Sequence, residues 1–362
     1  MAGALRGLRA QSGIAQPRIC VAFSGGLDST VLLHQLAQLR QLVPVRALAP
    51  FALSALHVNH GLSPNAGAWA RHCRAICRQL DVPIRVRRVT VSRAARTSLE
   101  EEARKARYAA FAAAKADVMA LAQHADDQAE TVLLQLLRGA GVKGLAGMPV
   151  LKPLSTNGFK PILVWRPVLD HTRAWLLAYA HTHQLVWIED ESNADNRFRR
   201  NYLRNRIMPL VEAEFPAAAT TLARAARHLA DAADLLDVLA DEDLAQVRAQ
   251  ANAKTGANTN ATKSANKNAG DGLSADALKR LPDARLRNAL RRWLDQAGVR
   301  QPPEARLNAL VKALGDSTND TRLTWQHEGV TLRRNRGILV FEMEASPGGK
   351  YGGKPGGKQV TK

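Results

Sequence analysis

The sequence predicts an α/β fold built on a parallel sheet, followed by helices and a small, mostly helical second domain. Three observations carry this expectation. Short apolar runs at 18–23, 51–58, 82–91 and 117–124 alternate with helix-patterned stretches at 28–40, 66–80, 98–116 and 127–138. Strand and helix patterns alternating at that spacing fold as parallel strands joined by crossover helices. Alanine-rich helical sequence then runs from about 197 to 250, and 251–272, which holds no large apolar residue, separates it from a further helical stretch.

The elements follow in order. Residues 1–17 are set aside as an N-terminal extension without the apolar core of a signal peptide. RICVAF (18–23), FALSALHV (51–58), VPIRVRRVTV (82–91) and DVMALAQH (117–124) are short and rich in branched or apolar residues, hence strands. Ser98 with Glu101 reads as a capping box opening the third helix, and Gly139 and Gly141 end the fourth. The expected organisation is a catalytic domain over 18–215, a helical connection over 216–250 and a flexible linker over 251–272. A second domain spans 273–345, with amphipathic helices at 273–299 and 302–315 and a hairpin or meander at 321–342. The glycine- and lysine-rich tail, 346–362, is expected to be disordered.

Composition narrows the function classes. The chain has 362 residues, and 51 Lys and Arg against 32 Asp and Glu give a net charge of +19. A globular chain this basic calls for a polyanionic partner, nucleic acid first. Three cysteines, Cys20, Cys73 and Cys77, form neither a disulfide framework nor a CxxC metal pair. No run of 18 apolar residues exists, so the reading is a cytoplasmic protein with no membrane partner.

The stretch VAFSGGLDSTVLLH (21–34) carries the chemistry. A strand delivers Ser24, and Gly25 and Gly26 let the backbone turn and approach a ligand without Cβ interference. A helix starting at Leu27 or Asp28 directs its free N–H groups and positive dipole end to the same spot, and Ser29 closes the hexapeptide. Such a loop cradles phosphate. It is not a Walker loop, which needs a lysine in the motif. The aspartate, Asp28, fits beside phosphates if Mg²⁺ bridges them. In parallel sheets ligands bind beyond the carboxyl ends of the strands, where both this loop and His124 fall.

This hexapeptide resembles the SGGxDS pyrophosphate loop of the PP-loop ATP pyrophosphatases. Four further stretches narrow the resemblance: HADDQAETVLLQLLRGAGVKGLAGM (124–148), WRPVLD (165–170), IEDESNADNRFRRNYLRNRIMP (188–209) and SLEEEARKARY (98–108). Together they resemble the tRNA(Ile)-lysidine synthetase family over 18–215, and the resemblance resumes at 273–342 as that family's smaller substrate-binding domain. The glycine/lysine tail departs from those members that carry another folded domain there.

The resemblance implies a ligase that uses ATP and Mg²⁺. ATP adenylates the C2 carbonyl oxygen of the wobble cytidine in the CAU anticodon of an isoleucine tRNA, with loss of pyrophosphate. Free L-lysine then displaces AMP, changing codon reading from AUG to AUA. A homodimer is left open. Ser24, Gly25, Gly26, Leu27, Asp28 and Ser29 are the expected ATP site, with Asp28 the Mg²⁺ ligand. Asp28, Asp127, His124 and Arg104 are the expected catalytic set. Asp127 and Glu130, three apart on one helix face, are candidates to hold the lysine amine. Arg197, Arg200, Asn201 and Arg204 are candidates for tRNA contact, as are Arg333, Arg334 and Arg336 in the second domain. Arg104 and Arg107 share a helix face, and Arg166 stands alone. A tRNA cytidine thiolase on the same scaffold is the alternative, disfavoured because Cys73 and Cys77 have the wrong spacing.

Overall fold

The computed structural model describes residues 1–42, 49–61, 63–90, 99–154, 161–255, 272–316 and 323–343. It divides into two compact units, Met1–Ala232 and Ala233–Lys362. Within the first, the elements run α1 (Ala2–Ser12), β1 (Arg18–Ala22), α2 (Leu27–Leu42), β2 (Ala52–Asn59), α3 (Ala66–Gln79), β3 (Ile84–Arg88), α4 (Leu99–Ala112), β4 (Val118–Ala120) and α5 (Ala125–Leu136). There follow α6 (Val142–Leu145), β5 (Leu151–Leu154), β6 (Ile162–Trp165), α7 (Arg173–Thr182), α8 (Arg199–Tyr202), a π-helical turn at Leu203–Ile207 and α9 (Met208–Glu214).

The sheet has the order β3-β2-β1-β4-β6-β5. Its first five strands are parallel, and only β5 runs antiparallel, against β6. That is the parallel sheet the alternating pattern predicts, with an added antiparallel edge. β5 carries Pro153, which cannot donate to a ladder and belongs on an edge strand. Chain order reverses beside β1, which has β2 on one side and β4 on the other. The loops after β1 and β4 therefore leave the carboxyl edge side by side, at the topological switch point where such sheets bind ligands.

Two differences from the expected organisation have plain causes. Residues 1–17 are not an appendage: α1 inserts Leu5 and Leu8, each 2% exposed, into the main core with Val31, Leu36, Phe51 and Leu176. Burial of two leucines is worth about 2 kcal/mol each, which holds the segment in place. The helical connection is one 38-residue helix, α10 (Ala218–Thr255), that crosses the boundary between the units. The Ser98 capping box, most of the 251–272 linker and the 346–362 tail lie outside the described residues.

The second unit continues with β7 (Leu273–Ser274), α11 (Ala275–Lys279), α12 (Asp283–Gln296), α13 (Glu304–Asp316), β8 (Thr324–His327), β9 (Val330–Asn335) and β10 (Ile338–Met343). The meander is a four-stranded antiparallel sheet in the order β7-β10-β9-β8. Trp293 of α12 stacks on Phe341 of β10, ring centroids 3.9 Å apart, within a core that takes Leu244 and Val247 from α10. Among the described residues no helix is long and apolar enough to cross a membrane.

The turn between β1 and α2 is packed on one side. Gly25 has φ +88°, and a Cβ there would meet Cys73 Sγ and Ile188 Cδ1 at 2.9 Å each. A Cβ on Gly26 meets nothing nearer than Ser24 Oγ at 3.5 Å. Gly25→Ala should therefore cost about 2–4 kcal/mol from left-handed strain and overpacking, read as a lower denaturation midpoint. Gly26→Ala should leave that midpoint near the wild-type value.

Candidate active site

The loop after β1 fixes its own shape. Ser24 Oγ lies 3.0 Å from Ser29 Oγ and accepts the Gly26 N–H at 3.3 Å, while the Ser29 hydroxyl donates to the Gly26 carbonyl at 3.1 Å. The Gly25 carbonyl accepts from the Ile188 N–H at 2.8 Å, tying the loop to the segment leading into 188–209. α2 starts at Leu27, so the unsatisfied N–H groups of its first turn face the same edge. Asp28 Oδ1 is buried with no hydrogen-bond partner. A lone carboxylate oxygen beside a phosphate-type loop suits Mg²⁺, which commonly takes one or two carboxylates and completes its shell from phosphate oxygens. Among the described residues no group of three or more His, Cys, Asp or Glu forms a metal cage.

The loop after β4 brings His124, 2% exposed, to the same place. It is the N-cap of α5, and its backbone N–H donates to Asp127 Oδ2 at 3.2 Å. Its ring stands among three carboxylates: Nδ1 is 3.2 Å from Asp126 Oδ2, and Nε2 is 3.5 Å from Asp127 Oδ2 and 3.7 Å from Asp28 Oδ2. Burial alone would push the imidazole down. Hydrogen bonding to Asp126, with the charges of Asp28 and Asp127, outweighs it and raises His124 to about 10. Asp126 also suffers burial, but the His124 bond and the Arg173 N–H at 2.8 Å hold it below the usual carboxylate range. At neutral pH the site thus contains a buried imidazolium.

Glu130 has different neighbours from those expected. It is 1% exposed, and Arg200 Nε donates to its Oε2 at 2.7 Å while Arg204 Nε donates to its Oε1 at 2.6 Å. Both guanidiniums also reach Asp127 Oδ1, at 3.2 and 2.9 Å. The cations gripped by Asp127 and Glu130 are therefore this chain's own arginines. For the same reason Arg200 and Arg204, expected to touch tRNA, face inward and clamp the α8–π segment onto α5. Burying carboxylates requires paired counter-charge, and a bidentate arginine supplies it with matched geometry.

The other expected site residues fall as follows. Arg104 is exposed on α4, its guanidinium 4.9 Å above the Tyr108 ring and 3.4 Å from the Tyr108 hydroxyl. Arg197 is exposed and paired with Asp195 at 2.7 Å, and Asn201 donates to the Asp195 carbonyl at 3.0 Å. Arg199, Tyr202 and Arg206 are exposed on the outward side of the segment that turns Arg200 and Arg204 inward. In the second unit, alternation along β9 separates Arg333 from Arg334, and Arg336 lies in the turn after β9. Arg333 and Arg336 are exposed, whereas Arg334 is 7% exposed and reaches Asp276 at 3.3 Å, so it belongs to the fold. Cys73 sits under Gly25 and 3.4 Å from His57 Nδ1, with burial pushing its thiol up to about 12.

Residues 5–211 match the PP-loop domain, and 273–340 match the TilS substrate binding domain. A strand, an SGGLDS loop and a helix at the switch point of a parallel sheet define the chain as a PP-loop protein. The tRNA(Ile)-lysidine synthase of Pseudomonas aeruginosa is 46% identical over 322 residues, covering 88% of this chain and 68% of that one. That of Pseudomonas fluorescens is 45% identical over 339 residues, covering 92% and 70%. The same enzyme of Nitrosomonas europaea is 39% identical over 324 residues, covering 90% and 65%. The chain belongs to the tRNA(Ile)-lysidine synthase family.

Two outcomes follow from the charges. Glu130→Gln leaves two guanidiniums short of a counter-charge and should lower unfolding free energy in urea by about 3 kcal/mol. The His124 pKa is raised from about 6.5 unfolded to about 10 folded. Its contribution is therefore fully present below pH 6.5 and is lost as pH rises through 10. The melting temperature should fall over that window, and His124→Gln should flatten the fall.

Proposed function

We propose that the protein ligates L-lysine to C2 of the wobble cytidine in the CAU anticodon of an isoleucine tRNA, changing codon reading from AUG to AUA. The observation that carries the reading is the SGGLDS loop set against the His124–Asp126–Asp127 cluster in a chain of this family. The reaction has two steps. The C2 oxygen of cytidine attacks the α-phosphate of ATP, pyrophosphate leaves, and the base is left as an adenylate. The lysine amine then attacks C2, and AMP departs with the oxygen. A ring oxygen is a poor leaving group and AMP is a good one, which is why ATP is needed at all.

The roles follow from position. Ser24 to Ser29 would hold the departing pyrophosphate with backbone N–H groups, and Asp28 Oδ1 would hold Mg²⁺, which when bound would neutralise charge on the phosphates. His124 supplies a positive charge at the switch point, beside Asp28 and Asp127. Asp127 and Glu130 meet the lysine amine only if it takes the place of Arg200 or Arg204, which they hold here. Arg104 stands at the same edge as an exposed cation. Arg197, Arg199 and Arg206 on one domain, and Arg333 and Arg336 on the other, suit the RNA backbone, which sets register while an unstacked anticodon base enters the site.

The decisive test is nucleoside mass analysis of a CAU-anticodon tRNA incubated with the protein, ATP, Mg²⁺ and L-lysine. Cytidine should gain one lysine less one water. Unchanged cytidine would overturn the reading, and sulfur in place of oxygen would make the protein a thiolase. Asp28→Ala should abolish pyrophosphate release while tRNA binding stays near the wild-type value. Release at the wild-type rate would remove Asp28 from metal binding.

A further inference from the structure

A cationic surface outside the site described above lies along α3 and the edge strand β3. α3 contains no acid, and its buried residues are Ala70, Cys73 and Cys77. Each of these is followed by an arginine, so Arg71, Arg74 and Arg78 form a second stripe beside the buried one, and all three are exposed. Seven residues make two helical turns, so the stripe runs about 10 Å along the axis. β3 ends at Arg88, which is exposed and shares a sheet face with Ile84. Ile84 packs against the core that holds Cys73 and Cys77, so Arg88 is on the α3 side of the sheet. Alternation sends Arg85 and Arg87 to the opposite face, where Arg85 is within electrostatic reach of Cys20.

Arg71 and Arg88 meet at one end of this surface. Arg88 lines a cleft with Gly67, and Arg71 Nη1 lies 3.8 Å from where a Cβ on Gly67 would be. That end is beside the SGGLDS loop, since a Cβ on Gly25 would meet Cys73 Sγ at 2.9 Å and His72 Cδ2 at 3.6 Å. A crossover helix runs back against its parallel strands, so Arg74 and Arg78 lead away from the carboxyl edge. Among the described residues no ion pair joins any of the four arginines to an acid. The acids at the two ends of α3 are engaged elsewhere: Glu191 accepts from the Asn65 amide at 3.2 Å, and Asp81 lies 3.6 Å from Arg40. Like charges three and four residues apart weaken a helix, so the stripe is carried against its own repulsion. Charge on an edge strand deters pairing with another sheet, which accounts for Arg85 and Arg87 but not for a helix face.

We infer that Arg71, Arg74, Arg78 and Arg88 form a track for the phosphate backbone of RNA, leading from the active edge along α3. A small anion would be met by one end of the stripe, whereas a chain of phosphates can occupy all of it. The choice of RNA among polyanions rests on the function proposed above. A strand whose base enters the site must carry its neighbouring phosphates past one side of the loop, and the track begins there. Such contacts fix register without reading sequence.

The test uses the full chain as wild type and as two double variants that remove equal charge. One is Arg74→Gln with Arg78→Gln, on the track; the other is Arg85→Gln with Arg87→Gln, on the opposite sheet face. All four side chains are exposed, so urea midpoints should stay near the wild-type value. Filter binding across a salt series gives the affinity for an unmodified CAU-anticodon tRNA and for a tRNA with another anticodon. Calorimetry gives the affinity for α,β-methylene ATP with Mg²⁺. In the track variant both tRNAs should bind about ten- to thirtyfold more weakly near physiological salt, with the log–log slope shallower by about 1.4–1.8. The opposite-face variant should keep its tRNA affinity, and both variants should keep the ATP analogue. A wild-type slope in the track variant overturns the inference. An equal fall in both variants overturns it too, because net charge alone would then attract the RNA. Loss of the ATP analogue would place these arginines at the nucleotide, and a loss confined to the CAU tRNA would mean base reading; either result removes the backbone track. A wild-type protein that makes no lysidine, while the track variant loses tRNA binding as expected, overturns the proposed reaction and leaves the track standing.

Discussion

The active edge depends on the charge of His124. Three carboxylates, Asp28, Asp126 and Asp127, converge on its ring within 3.7 Å. An imidazolium among them offsets the mutual repulsion of carboxylates gathered in one place. It stands there because β1 and β4 are neighbours: the register Val21↔Ala120 brings the residue capping α5 beside the residue opening α2. One strand pairing therefore sets both the glycine loop and the cation beside its carboxylate.

A second tier holds this arrangement in place. Asp127 caps His124 with one oxygen and meets Arg200 and Arg204 with the other. The arginines pass the constraint to Glu130 and to the segment bearing the π turn. A π turn widens the helix by one residue, and such bulges gather at functional sites. Here it lies within a segment whose inner side binds acids and whose outer side shows Arg199, Tyr202 and Arg206. Arg200 and Arg204 therefore couple the position of that segment to Asp127.

Much of this was legible in the sequence, for identifiable reasons. Parallel strands buried on both faces leave apolar runs, and the glycine pair with Asp28 marks a strand–helix turn, so the sheet and its loop could be placed from residue pattern alone. β5 and β6 could not: each has four residues, and β5 contains a proline. α1 was hidden because its two buried leucines sit among arginines and small residues. The site's electrostatics were the least legible part. The sequence shows Asp127, Glu130, Arg200 and Arg204 as charges, but pairing across about 70 residues is a product of the fold. The same holds for Arg334, whose inward direction depends on β9 register.

The net charge of +19 is therefore not a measure of the RNA-facing surface. Arg200, Arg204, Arg285, Arg292 and Arg334 are tied to acids of the same chain, and what remains outward is distributed over both units. The cysteines complete the chemical picture. Burial pushes Cys20 to about 11 and Cys73 and Cys77 to about 12, so near neutral pH none of them is a thiolate. Cys73 instead serves as the floor under Gly25, where its sulfur fills the space a Cβ would need.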